Sequence, residues 1–212
     1  MAHRVFLLSP ASCAGERARV LMRDQADFPL AVRLREPAGA PLGEVFSFLS
    51  GLYFRGKLAY AQVFARPPRS AAGAWVITPT RGLLSPDERV TAEDIREFAS
   101  VSIDVRNGRY AKPFERAAER LARAFSPSDE AVLLGSVATG KYIDILVRVF
   151  GERLLFPAEF AGRGDMSRGG LLLRSARAGR ELTYVPVASG ARHGPRPPKL
   201  VPIRRAAKKA ES

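Results

Sequence analysis

The chain reads as an α/β fold of three layers: a mostly parallel central sheet of about five strands with helices on both faces. Two observations predict this. Short apolar runs that do not alternate with polar residues recur along the 212 residues, among them VFLL, WVIT and AVLL. A strand apolar on both sides is one whose two faces are both covered. Between these runs lie longer segments with apolar residues three and four apart, the helical period. Strands separated by helices build parallel sheets.

The elements follow in order. Residues 4–9 form a first strand, closed by Ser9-Pro10. Ser12 is the expected cap of a helix reaching Arg23, with Glu16 close behind it and Leu21 and Met22 as its apolar side. Residues 24–41 contain three prolines and are expected to be an irregular surface connection. The run EVFSFLSGLYFRGKLAYAQVFA predicts one or two helices, interrupted near Gly51 or Gly56. A second strand over 75–78 runs into the turn TPTRGLLSPDE. Thr91 caps a short helix to Ala99, with Glu93 and Asp94 in the first turn, where the helix dipole favours acids. A helix over 113–125, a third strand over 131–134 and a helix over 140–150 come next. A fourth strand ends over 154–156. A helix then starts at Asp165 or Ser167 and stops at Gly179, and a fifth strand spans 182–187.

Length and composition set the frame. The chain fits one domain over 1–190 followed by a basic, proline-containing tail over 191–212. The tail has four prolines and little apolar matter, so it is expected to be a flexible arm. At this size folding buries roughly 70% of the unfolded chain's surface, so neither disulfide nor metal is required. No run approaches the ~18 apolar residues of a membrane span, and the first apolar run is shorter than the ~7–15 of a signal-peptide core. The single Cys13 has no partner for an internal disulfide. Together these predict a cytoplasmic protein. No cofactor and no metal is implied.

The charge points to partners. Lys and Arg number 34 against 21 Asp and Glu, a net +13. The tail residues Arg192, Arg196, Lys199, Arg204, Arg205, Lys208 and Lys209 set against Glu211 carry +6, and the other 190 residues carry +7. Such a field concentrates nucleic acid or another polyanion at the surface in a salt-dependent way. The competing explanation is a genome that favours Arg and Ala throughout.

In an open parallel sheet, ligands bind beyond the carboxyl ends of the strands. Four loops fall there, over 9–15, 78–85, 135–141 and 156–170, all rich in Gly, Ser, Thr or Arg. The third, GSVATGKY, nearly matches a phosphate-cradling loop, but Tyr142 stands where a small hydroxyl should ligate magnesium. Gly135, Ser136 and Lys141 remain candidates for holding a lone phosphate at a helix start. The fourth, AGRGDMSRGG, offers Arg163 and Arg168 as a phosphate grip. Its Asp165 is either a general base or a helix cap paired with one of those arginines. Cys13 is either a thiol of lowered pKa or simply buried. Tyr53, Phe54, Tyr60 and Phe64 are either a base-stacking surface or core.

The succession LLSPASC, GLYFRGKLAYAQVFA, WVITPTRGLLSPDE, AVLLGSVATGKYIDIL and LLFPAEFAGRGDMSRGGLLL resembles small bacterial proteins distantly similar to the YaaA-like peroxide-stress proteins and the uracil-DNA-glycosylase-like α/β fold. The resemblance spans roughly residues 5–173. It implies a pocket lined by Ser9, Ser12, Cys13, Thr78, Gly82 and Gly135, and association with nucleic acid or nucleobases. A glycosylase would place an Asp or Asn soon after the first strand, and SPASCAG contains neither. The expectation is therefore a nucleic-acid- or nucleobase-associated protein that binds an anionic ligand at the carboxyl edge. An enzyme acting on a nucleotide, nucleoside or sugar-phosphate is the first alternative, and a non-catalytic protein-binding module is the second.

Overall fold

Val5, Phe6, Leu7 and Leu8 are shielded from solvent completely, so the first strand, β1 (Arg4–Leu8), is covered on both faces. The computed structural model describes residues 2–69, 71–137, 140–190, 197, 198 and 200. After β1 come α1 (Glu16–Leu21), α2 (Pro29–Arg35), the two-residue strand β2 (Ala40–Pro41), α3 (Leu42–Ser50) and α4 (Leu52–Phe64). The middle of the chain supplies β3 (Ala74–Thr78), β4 (Gly82–Leu84), β5 (Arg89–Val90), α5 (Ala92–Ala99) and α6 (Gly108–Arg123). Then follow β6 (Glu130–Leu134), α7 (Gly140–Phe150), β7 (Leu154–Pro157), α8 (Asp165–Ala178) and β8 (Tyr184–Pro186).

The main sheet has six strands in the order β4-β3-β1-β6-β7-β8. The inner four run parallel, and β4 and β8 are antiparallel edges. Strands β2 and β5 pair separately. Helices α4 and α8 pack together on one face, and α6 and α7 on the other. From β1 the chain goes on to β3 on one side, and from β6 it goes on to β7 on the other. The connections leaving the neighbouring strands β1 and β6 therefore part, which opens a crevice at their carboxyl ends.

Two glycines bring α8 directly onto α4. A Cβ at Gly56 would stand 2.6 Å from the carbonyl oxygen of Gly169, and one at Gly169 would stand 2.8 Å from that of Leu52. Backbone thus meets backbone at this crossing. The break between α3 and α4 falls at Gly51, whose φ of +60° suits glycine.

Several expectations change. Helix α1 starts at Glu16 after Gly15, and Ser12 does not cap it. The stretch 24–41 is not irregular throughout: Leu30, Ala31 and Leu34 form a buried helical face behind Pro29 in the first turn. The turn after β3 is a hairpin that adds the sixth strand, β4, which the local turn signals concealed. Helix α6 begins at Gly108, capped by the Asn107 side chain, so Pro113 sits inside it. The carbonyl that this proline leaves unbonded belongs to exposed Arg109, where water can replace the amide. The Thr91 capping box and the stop of α8 at Gly179 are as expected. The tail cations Arg192, Arg196, Lys199, Arg204, Arg205, Lys208 and Lys209 lie outside the described residues. Among the described residues, no helix is long and apolar enough to cross a membrane.

Candidate functional site

Residues from all four carboxyl-end loops line one cleft of about 1140 Å³. The loop after β1 contributes Ser9, Ser12 and Cys13, the hairpin contributes Pro79, the loop after β6 contributes Ser136, and the start of α8 contributes Asp165. Lys141 and Tyr142 enter from the first turn of α7. An outer wall comes from the end of α3 and from the segment after α5, which brings Ser100, Ser102 and Asn107.

The floor holds a group the sequence reading did not single out. Lys57 of α4 is fully buried, and its Nζ donates to the Ser9 carbonyl oxygen at 2.6 Å and to Ser9 Oγ at 2.9 Å. The Tyr53 and Phe54 rings stand 4.5 and 4.8 Å from that nitrogen. Burial pulls the amine down from its ordinary 10.5 to about 7, while the charge of Asp165 pushes the other way. Burial thus favours the uncharged amine here, hydrogen-bonded to a serine hydroxyl. The signal for it lay in the helical period. Tyr53, Phe54, Tyr60 and Ala61, at offsets of three and four from Lys57, are all buried, so the lysine occupies an inward position of an apolar helix face.

Tyr142 completes the floor. Burial raises its phenol to about 12, while the nearby Ser136 backbone and Ser9 side chain act in the opposite sense. Gly135 makes this meeting possible. A Cβ there would fall 2.8 Å from the Tyr142 oxygen and 2.9 Å from Ser9 Cβ. The Tyr53 hydroxyl is buried at the cleft with no hydrogen-bond partner among the described residues, and burial raises its pKa while the nearby Arg168 charge lowers it.

Other anticipated residues stand elsewhere. Thr78 is fully buried within the hairpin, donating to the Gly82 carbonyl and accepting from the Arg81 amide. Gly82, at φ +69°, is pressed against the Pro113 carbonyl of α6. Neither lines the cleft, because the β3–β4 pairing consumes that loop. Arg163 bonds the Glu159 carbonyl and Ser167 Oγ. Arg168 is buried against the Phe160 carbonyl. A paired phosphate grip is thus replaced by two arginines that tie down their own loop. Asp165 opens α8 with its side chain 68% exposed; Gly164 holds the cap position, and Arg168 stands 3.7 Å away. Cys13 is buried, and burial raises its thiol to about 12, the reverse of an activated thiolate. Tyr53, Phe54 and Tyr60 belong to the core, although Tyr53 also reaches the cleft.

Comparison with protein-family models, with curated proteins and with solved structures finds no match. The reading of the site therefore rests on its own chemistry. Among the described lining side chains, Lys141 and Asp165 are the charged residues, of opposite sign, and hydroxyls and one amide supply the other polar groups beside an apolar half.

Proposed function

We propose that this protein binds a small polar molecule of nucleoside or nucleotide size in the carboxyl-edge cleft and acts on it as an enzyme. The observation that carries this is the meeting of all four loops over the Ser9–Lys57 pair. A volume of about 1140 Å³ accommodates such a guest, and the hydroxyl-rich, nearly neutral lining suits a sugar or base better than a bare polyphosphate. A ligand screen by thermal shift tests it, using nucleosides, nucleotides and free nucleobases on the full chain and on a chain ending at residue 190. A true ligand at about 100-fold above its Kd stabilises by about 2.7 kcal/mol, a shift of roughly 5–10 °C at this size. It should do so equally with and without residues 191–212. Stabilisation that requires those residues, or none with any of the three classes, counts against the cleft.

The net charge of +13 supports a second reading, association with nucleic acid through the basic tail. Affinity for a polynucleotide should then fall steeply with salt and drop when 191–212 are removed. Binding that ignores both changes would count against it.

A further inference from the structure

We propose that Ser9 is the nucleophile of an acyl-transfer reaction, with Lys57 as its general base and Tyr142 as the proton donor to the leaving group. The substrate class is an ester or activated amide carried on a small polar molecule. This deepens the cleft reading and rests on it.

Geometry comes first. Ser9 and Tyr142 both line the cleft, Ser9 Oγ accepts from Lys57 Nζ at 2.9 Å, and the Tyr142 hydroxyl and Ser9 Oγ converge on Gly135, where a Cβ would lie 2.8 and 3.2 Å from them. A hydroxyl is a weak nucleophile until an adjacent base takes its proton. Lys57 is completely enclosed, so it cannot meet a substrate itself, and the reactive surface it serves is Ser9. A buried amine whose one side-chain hydrogen-bond partner among the described residues is a neutral hydroxyl is an expensive arrangement, since the same volume filled by a methionine would cost no desolvation. The groups facing the pair are Tyr53 on the same helix, Tyr142 on α7, and Asp165 and Arg168 on α8. Burial moves the amine and the phenol in opposite directions, which separates a base from an acid at neutral pH.

The step balances. The bond from Ser9 Oγ to the acyl carbon forms as the hydroxyl proton passes to the neutral Lys57 amine. The bond from that carbon to the leaving oxygen or nitrogen breaks as Tyr142 gives it a proton. Water then attacks the acyl-serine and yields a proton to the Tyr142 oxygen, and Ser9 departs by recovering its proton from Lys57. The products are a carboxylic acid and an alcohol or amine, and no oxidant, reductant or metal takes part.

A fluorophosphonate probe, read by peptide mass spectrometry on the full chain, tests the proposal. The expected adduct lies on Ser9, is lost in Ser9→Ala, and forms at least 100-fold more slowly in Lys57→Met. On the unaltered protein its rate rises with pH through a midpoint near 7, a measurement that survives even if a variant fails to fold. No adduct, an adduct on another residue, or a Ser9 adduct whose rate is flat from pH 6 to 9 overturns the assignment. So does an unslowed rate in a folded Lys57→Met. An unreactive Ser9 in a protein still stabilised by a nucleoside defeats the nucleophile alone and leaves the cleft reading standing.

Discussion

The two ends of β1 handle charge in opposite ways. At the amino end, Arg4 donates to Glu130 at 2.6 and 2.8 Å and to Glu181 at 2.5 Å, and its guanidinium lies 4.7 Å from the Tyr184 ring centre. Burial alone would lower the Arg4 pKa, but those hydrogen bonds and charges outweigh it and the value rises. Asp129 beside it follows the same logic. Burial pushes it up, yet the backbone amides of His3 and Ser126 bring it down to about 2. Just past the carboxyl end, at Ser9, Lys57 of α4 is enclosed with a neutral serine as its side-chain partner. Every charge at the first end has an opposite charge or a set of donors, as stability demands. The second end keeps an amine that a stability criterion alone would remove. Uncompensated burial of this kind is what active sites use to hold a base ready at neutral pH.

The largest expected effect probes that asymmetry through pH. Because the folded amine titrates near 7 and the unfolded one near 10.5, only the unfolded chain binds this proton between those values, and stability rises with pH across that window. The rise amounts to a few kcal/mol, at about 1.4 kcal/mol per unit. Lys57→Met removes it. Urea unfolding of both proteins at pH 6.5, 8 and 9.5 should therefore show the variant ahead at pH 6.5, with the gap closing as pH increases. Parallel curves would place Lys57 in an ordinary charged state and end the comparison.

Gly135→Ala sharpens it sterically. The added methyl must displace Tyr142 or Ser9, at a cost of about 1–3 kcal/mol. It should also slow probe labelling of Ser9 roughly tenfold by disturbing the pair it wedges apart. Unchanged labelling with lowered stability would mean the glycine serves packing only. The smallest effect belongs to the other end of the strand. Arg4→Met leaves Glu130 without its cation and Glu181 with Arg66 alone, and should cost about 1–2 kcal/mol, because both carboxylates keep some solvent. An arginine does not titrate in range, so this loss is expected to be the same at pH 6.5 and 9.5, and Ser9 labelling should not change. A pH-dependent loss at Arg4 would erase the distinction between the two ends.

Periodicity and local signals determined a good part of the architecture. Fully apolar runs marked the four parallel strands because a strand buried on both faces has no polar side to show. Thr91 and Gly179 marked helix boundaries because caps and positive φ are decided within a few residues; of the two glycines that could break the long helical run, Gly51 does and Gly56 lies inside α4. Partners far along the chain decided the rest. The sequence 78–84 looks like a turn until β3 pairs with β4, and that pairing removed Thr78 and Gly82 from the cleft. Arg163 and Arg168 look like phosphate ligands until the carbonyls of Glu159 and Phe160 claim them. Lys57 is 48 residues from Ser9, and in the sequence it is one charge among 34 basic residues. The packing of α4 against β1 and α8, which no local signal reports, buries that amine and sets it against the serine.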